Sequence, residues 1–190
     1  MRCPFGKIAV GCVLTLALMG SAAYAQAPAP PKGSVVVASP TYTSIAMEVT
    51  VNRPAADVWK RIGKYCDIAE WLQVPAGCKI ISGKDGEFGA VRPMGGGEVL
   101  VGRSELSYTY TQTPKEGIPY NLYHGTLEAR PLTPTTSKLV YTLFFDNSML
   151  PDDAARAADK EARRARFTKA LQNMKTLAEG GTLPPPPPAK

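Results

Sequence analysis

The order of predicted elements between Thr43 and Gly180 is the feature that most constrains the fold of this chain. One strand is followed by two short helices, a long run of strands and a single long helix. Strands joined by short turns pair as antiparallel neighbours, and one face of such a sheet can be buried against a helix. The order therefore predicts an α+β fold, in which a curved antiparallel sheet of about seven strands holds a long C-terminal helix.

Turn residues and apolar periodicity set the expected boundaries of these elements. Strands are predicted at 45–51, 78–82, 89–93, 98–103, 105–113, 120–130 and 138–146. Pro54 is a favourable first helical residue, and Val58 and Ile62 share a face at helical spacing. A second short helix is expected from Asp67 to Leu72, and the long helix over 151–179.

Residues 1–25 have the pattern of a secretory signal peptide. Arg2 and Lys7 form a positively charged start, residues 8–18 are apolar, and Ala23-Tyr24-Ala25 suits signal-peptide cleavage. The mature chain is then expected to begin at Gln26, in the periplasm or outside the cell. The proline-rich segments 26–38 and 182–190 are expected to be flexible, and residues 39–181 to form one domain.

The charge balance does not predict a strongly charged partner. The chain has 22 Lys and Arg against 16 Asp and Glu, and residues 1–25 contribute two of the basic residues and none of the acidic ones. The mature chain therefore carries 20 basic and 16 acidic residues, an excess that solubility and one basic helix explain without nucleic-acid binding. Contact of that helix with an anionic membrane surface stays an alternative, and the sequence does not determine the oligomeric state.

Two cysteines, Cys66 and Cys78, remain after the signal segment. In an oxidising compartment we expect them to form a disulfide that closes a loop containing Trp71. Two buried free thiols are the alternative. A reactive redox pair is disfavoured because the spacing is not Cys-x-x-Cys.

Alternation along the predicted strands places many tyrosines on one face of the sheet, taken as the concave face. A tyrosine has an apolar ring and a hydroxyl that needs a partner, whereas a core built only for packing favours Leu, Ile and Val. A ligand cavity is therefore favoured over a dry core. The residues predicted on this face are Tyr108, Tyr110, Tyr123, Leu127, Tyr141 and Phe145.

Several motifs in this order resemble the START-like superfamily. They are Val51-x-Arg53-Pro54-Ala55-x-x-Val58-Trp59, Ile68-x-x-Trp71, Gly89-Ala90-Val91-Arg92 and Ile118-Pro119-Tyr120, followed by the long helix. This superfamily includes Bet v 1-type proteins, bacterial polyketide cyclase/dehydrase and lipid-transport proteins, and plant abscisic-acid receptors. The resemblance spans nearly the whole mature domain and implies a helix-grip fold, with a hydrophobic cavity between the sheet and the C-terminal helix. It does not imply one activity, because members bind, carry, cyclise or regulate.

The receptor-like branch of the superfamily has two mobile loops that close over its cavity. The resemblance places them here at 93–97 and 116–120, and three consecutive glycines suit a flexible flap. An ordinary hairpin turn is the alternative, and the loop sequence departs from the receptor pattern, so hormone perception is not supported. The candidate gate residues are Met94, Gly95, Gly96, Gly97, Ile118 and Pro119.

Two arginines are candidates for binding an acidic group on a ligand. Arg163 lies on the helix face that continues from Phe167, and Arg92 lies near the end of the predicted strand 89–93. The alternatives are that the front half of the helix projects into solvent or turns its alanines inward, and that Arg92 faces outward. Trp71 completes the set of predicted ligand-binding residues.

Catalytic signatures are sparse. His124 is the only histidine, and alternation places it on the outer face of the sheet, so no catalytic residue, metal or cofactor is predicted. The sequence favours an exported binding or carrier protein for a small hydrophobic ligand that can carry an acidic group. A cyclase-, dehydrase- or hydrolase-like enzyme and a structural or accessory protein with a filled core are the alternatives.

Overall fold

The computed structural model describes residues 37, 39–113, 115 and 117–186. The predicted signal segment, nearly all of the proline-rich segment 26–38 and residues 187–190 lie outside the described residues. Residues 114 and 116, which flank or belong to the second predicted gate loop, also lie outside them.

The described chain forms one antiparallel sheet and three helices. In chain order they are β1 (Tyr42–Val51), α1 (Ala55–Ile62), α2 (Ile68–Trp71), β2 (Val91–Arg92), β3 (Glu98–Ser104), β4 (Ser107–Gln112), β5 (Asn121–Pro131), β6 (Ser137–Asp146) and α3 (Asp153–Ala178). The strand order is β1-β6-β5-β4-β3-β2, and every neighbouring pair is antiparallel. This is the helix-grip arrangement that the element order predicts.

The sheet has six strands in the described part of the chain, so the expected count of seven is wrong. The missing strand is 78–82, which contacts the sheet through a single bridge between Ser82 and Val91. Cys78 forms a disulfide with Cys66, which lies between α1 and α2. The segment after Cys78 therefore starts beside the helices and reaches the sheet edge only at its end.

Helix α3 is defined by its two ends and by one apolar face. Asp152 accepts a hydrogen bond from the backbone N–H of Ala155 at 2.8 Å, which satisfies one of the free donors of the first turn. Gly180 follows the helix with a φ of 92°, a conformation that glycine adopts at low cost. Between these ends Phe167 and Met174 are buried against the sheet.

The first described part of the C-terminal tail contacts the domain. Leu183 packs against the hydrophobic core, and Gln73 Nε2 donates a hydrogen bond to the carbonyl of Pro184 at 2.9 Å. The flexibility expected for 182–190 stays a prediction. Among the described residues no helix is both long enough and apolar enough to cross a membrane.

Gly125 of β5 makes room for an aromatic ring of the neighbouring strand. A methyl group at this position would overlap the ring and hydroxyl of Tyr110, its partner on β4. Tyr110 is also held through its hydroxyl, which lies 3.0 Å from that of Tyr141. The ring can therefore not move away without losing this contact.

We expect Gly125→Ala to lower the free energy of unfolding by about 1–3 kcal/mol, the usual result of overpacking a core. Urea unfolding followed by circular dichroism measures the change. Gly125→Ala combined with Tyr110→Ala should lose less than the two single changes added together, because the overlap is removed. Strict additivity of the two changes would contradict this account of the site.

Candidate functional site

The concave face of the sheet is aromatic and buried. Tyr108, Tyr110, Tyr123, Leu127, Tyr141 and Phe145 are all at most 3 % exposed. They come from β4, β5 and β6, and period-two alternation puts them on one side, as the sequence predicts. His124 lies on the opposite side and contacts the carbonyl of Leu122 through Nδ1 at 2.7 Å.

A cavity of about 150 Å³ lies between this face and α3. Rings from β4, β5 and α3 line it, together with Met94 and Gly95 of the first predicted gate loop. Three of the six residues predicted on this face, Leu127, Tyr141 and Phe145, do not line the cavity and pack in the core. An apolar cavity near this volume accommodates about one benzene ring.

Two arginines of α3 lie at the cavity. The guanidinium of Arg163 lies 4.6 Å from the ring centres of both Tyr120 and Phe145. It also forms an ion pair with Asp159 at 2.8 Å. Arg166 lines the same cavity and forms no ion pair within the described residues. Arg163 therefore lies over the aromatic rings of the sheet side, Arg166 is exposed at the cavity rim, and most alanines of the front half are exposed and do not face inward.

Arg163 remains a cation in this position. Burial lowers the pKa of its guanidinium, but the hydrogen bond with Asp159 and the nearby Tyr123 outweigh that effect and leave the pKa above its ordinary value. Asp159 neutralises part of its charge. Arg166 is therefore the less compensated of the two cations.

Arg92 is fully buried under the cavity and does not reach it directly. Its Nε donates to the carboxylate of Glu98 at 2.7 Å, and its Nη1 donates to the carbonyl of Tyr65 at 2.5 Å. Its Nη2 has no hydrogen-bond partner in the described part of the chain. The guanidinium lies 4.1 Å from the ring centre of Tyr65 and 4.7 Å from that of Tyr110, a favourable cation–π arrangement.

Glu98 connects this ion pair to the cavity. Its carboxylate lines the cavity and accepts a second hydrogen bond from Gln112 Nε2 at 2.9 Å. Gln112 in turn accepts a hydrogen bond from the hydroxyl of Tyr120 at 2.7 Å. This chain of contacts joins the base of the first gate loop to the end of the second.

The first gate loop is a tight turn between β2 and β3. Arg92 and Glu98 pair directly across its base. Gly95, Gly96 and Gly97 all have positive φ, and a side chain at position 95 would overlap the amide of Gln112. These positions therefore require glycine whether or not the loop moves, because other residues are strained there.

The chain matches one family model over residues 42–179, described as polyketide cyclase / dehydrase and lipid transport. The chain belongs to this family. A search of curated proteins finds no match. The family generally binds small hydrophobic ligands, and membership confirms the resemblance that the motifs indicate.

Solved structures share the fold of this family member. A protein from Thermobifida fusca is 24% identical with a TM-score of 0.61, and the match covers 75% of this chain and 98% of that one. The Zhui aromatase/cyclase from Streptomyces sp. R1128 is 18% identical, TM-score 0.55, with 75% and 100% covered. Truncated norcoclaurine synthase from Thalictrum flavum is 13% identical, TM-score 0.58, with 76% and 98% covered. At these identities the likeness shows the fold alone.

The predicted site residues of this family member fall into three groups. Tyr110, Tyr123 and Arg163 line the cavity, as do Met94 and Gly95. Trp71 lines a neighbouring cleft of about 210 Å³ that also contains Arg166, and Tyr108 lines a separate cleft near α1. The third group does not line the cavity: Arg92, Gly96, Gly97, Ile118, Pro119, Leu127, Tyr141 and Phe145.

Sequence reasoning missed Glu98 and Gln112, which contribute the polar groups of the cavity. The signal for Glu98 was the register of the predicted hairpin. When strand 89–93 pairs with strand 98–103 across a short turn, Arg92 lies opposite Glu98. In the described residues no three His, Cys, Asp or Glu side chains converge where a metal ion could bind.

The ion pair should be stabilising only as a pair. We expect Arg92→Met to lower the free energy of unfolding by about 3–5 kcal/mol, because it leaves the Glu98 carboxylate buried without its cation. Adding Glu98→Leu should recover more than about 1 kcal/mol of that loss. Urea unfolding of the single and double variants measures both values, and a double variant less stable than Arg92→Met would contradict the pairing.

The buried tyrosines should make the fold sensitive to alkali. Burial raises the pKa of Tyr123 to about 12 and the pKa of Tyr110 and Tyr141 well above the ordinary value. An unfolded tyrosine ionises near pH 10, so the unfolded state binds fewer protons than the folded state above that pH. The stability from each neutral tyrosine is fully present below about pH 10 and is lost as the pH rises toward the folded pKa.

Tyr123→Phe removes one of these groups. Between about pH 10 and 12 its free energy of unfolding should fall less steeply than that of the unchanged protein, by about 1.4 kcal/mol per pH unit. Urea unfolding at several pH values measures the slopes, with Tyr42→Phe, at an exposed tyrosine, as the matched control. Equal slopes for Tyr123→Phe and the control would show that Tyr123 is not held neutral by burial.

Proposed function

We propose that the chain is an exported binding or carrier protein for a small acid whose apolar body is about the size of one aromatic ring. The observation that carries this proposal is the position of Arg163 and Arg166 beside the aromatic rings of a cavity of about 150 Å³. The ring of the ligand fits among Tyr110, Tyr123 and Phe167. Its acidic group meets Arg166 first, since Asp159 already pairs with Arg163.

The polar groups of the cavity floor also favour an acid bound at the helix side. Both oxygens of Glu98 already accept hydrogen bonds, one from Arg92 and one from Gln112. A ligand carboxylate near Glu98 would meet a like charge, so the arginines of α3 are its better partners. The acidic group therefore points toward α3 and the apolar body toward the sheet.

The volume of the cavity limits the size of the ligand that it can hold. Sites for larger small molecules usually enclose about 300–1,000 Å³, more than the cavity has. Met94 lines the cavity from the first gate loop, so a shift of this turn would enlarge it. A carrier of longer ligands would need that movement, whereas a ring-sized acid does not.

Export rests on the sequence of residues 1–25 and on one contact in the domain. The disulfide between Cys66 and Cys78 suits an oxidising compartment such as the periplasm. Mass determination of the mature chain tests this part of the proposal. A chain that begins at Gln26 would support it, and a chain that keeps residues 1–25 would overturn it.

A cyclase- or dehydrase-like enzyme is the second candidate, because Glu98 gives the cavity a carboxylate. General-base catalysis needs an oxygen free to take a proton from the substrate. Proton transfer to Glu98 would leave the buried Arg92 cation without its counter-charge, and this favours binding over catalysis. A filled-core structural role is disfavoured by the cavity itself.

Binding of benzoate and of neutral benzyl alcohol tests the acid preference. We expect benzoate to bind at least about tenfold more tightly, because hydrogen bonds to charged groups contribute about 1.5–3 kcal/mol. Arg163→Gln with Arg166→Gln should remove this preference. Isothermal titration calorimetry measures the affinities.

Arg164→Gln is the matched control for the double variant. Arg164 lies on the same helix, but its Nη1 donates to the carbonyl of Ala46 at 3.2 Å, and it does not line the cavity. This variant should keep the preference for benzoate. Equal affinities of the unchanged protein for benzoate and benzyl alcohol, or no binding of either, would overturn the proposed site.

A further inference from the structure

A second and larger cleft lies at the opposite end of β3 and β4 from the gate loops. It has a volume of about 420 Å³, within the range of small-molecule sites. Its walls are the end of α1, the loop over residues 83–89 and the turn between β3 and β4. The resemblance and the family assignment place no ligand there.

The floor of this cleft is aromatic and apolar. Tyr65, Leu100 and Tyr108 are buried beneath it, and the half-buried Trp59 forms one side. The ring centres of Trp59 and Tyr108 lie 5.7 Å apart. Gly63 leaves space for the indole of Trp59, because a methyl group there would overlap it. A flat apolar group can therefore lie on Trp59 in contact with the floor.

The rim of the cleft is basic. Lys60, Lys64 and Arg103 line it against a single carboxylate, that of Asp85. Within the described residues none of these three cations forms an ion pair. Both lysines are exposed at the mouth, so an anion that enters would meet two cations that form no ion pair within the described residues.

The outer wall of the cleft is fixed at two points. Arg103 donates a hydrogen bond to the carbonyl of Gly86, which ties the 83–89 loop to β3. The disulfide between Cys66 and Cys78 joins the turn after α1 to the segment that leads into this loop. The loop that forms the outer wall of the cleft is therefore held by contacts within the protein, to β3 on one side and to the turn after α1 on the other.

We propose that this cleft is a second ligand site, for an aromatic anion whose ring stacks on Trp59 and whose acidic group binds Lys60 and Lys64. The site is independent of the cavity under α3, and its existence does not rest on the proposed function. Arg103 shapes the wall through Gly86, and the two lysines supply the charge. The recognised chemistry is a flat apolar body with one carboxylate or sulfonate group.

The two tryptophans of the chain allow a test that reports each site separately. Trp59 lines the second cleft, whereas Trp71 lies on α2 beside the cavity region. In a ¹⁵N-labelled full chain each indole N–H gives one NMR signal, and Trp59→Phe assigns them. The probe is 2-naphthoate, and neutral 2-naphthol is the comparison.

We expect 2-naphthoate to shift the Trp59 signal in a saturable manner, with an affinity at least about tenfold higher than that of 2-naphthol. The Lys60→Glu, Lys64→Glu double variant should lower the affinity for 2-naphthoate, followed by the Trp59 signal, by at least about tenfold. The anion then loses two cations and meets two like charges. Lys79→Glu is the control, because Lys79 is exposed and does not line the cleft. It should change the affinity less than about twofold at 0.15 M salt.

Any one of three results would overturn the second site. The first is a Trp59 signal that does not move. The second is a Lys60→Glu, Lys64→Glu variant that binds 2-naphthoate as tightly as the Lys79→Glu variant does, and the third is 2-naphthol binding as tightly as 2-naphthoate. A shift of the Trp71 signal alone would place the anion near α3, at the cavity or at the neighbouring cleft that Trp71 lines. That outcome would overturn the second site and leave the proposed function standing.

Discussion

The buried ion pair between Arg92 and Glu98 is the interaction on which the site depends. It closes the base of the turn between β2 and β3, and its two ends reach in different directions. Arg92 binds the carbonyl of Tyr65 in the segment between α1 and α2, and Glu98 binds Gln112 of β4. One pair of opposite charges therefore joins the helices, the sheet edge and both gate loops.

Burying this pair has a high desolvation cost, which only close geometry offsets. Here Tyr65 and Tyr110 lie against the guanidinium, and the Glu98 carboxylate has a second donor. The same contacts limit what the cavity can do. Because the carboxylate is already paired with Arg92, an acidic ligand would meet Arg166 of α3, which forms no ion pair within the described residues.

Period-two and helical periodicity predicted the fold well, because both report directly which face of an element is buried. The aromatic face of β4, β5 and β6 and the apolar face of α3 lie where alternation places them. The prediction of a strand at 78–82 was wrong, because the disulfide holds Cys78 beside the helices although the segment has the alternation of a strand. A local pattern does not reveal such a long-range tie.

The site was less predictable than the fold. Alternation identifies residues that face inward, but it does not distinguish a ring that packs solid from one that lines a space. Leu127, Tyr141 and Phe145 face inward and fill the core, whereas Tyr110 and Tyr123 border the cavity. The direction in which Arg92 points is set by the register of β2, a strand of only two residues. The sequence did not determine that register.

Both the cavity under α3 and the second cleft have cations without an ion-pair partner within the described residues, Arg166 in one and Lys60 and Lys64 in the other, beside aromatic rings. Native mass spectrometry of the protein purified from its own compartment, followed by solvent extraction, tests it most directly. The account predicts a discrete bound small molecule that contains an aromatic or similarly compact apolar body and an acidic group. A ligand-free mass, together with no binding of a hydrophobic anionic dye, would contradict it.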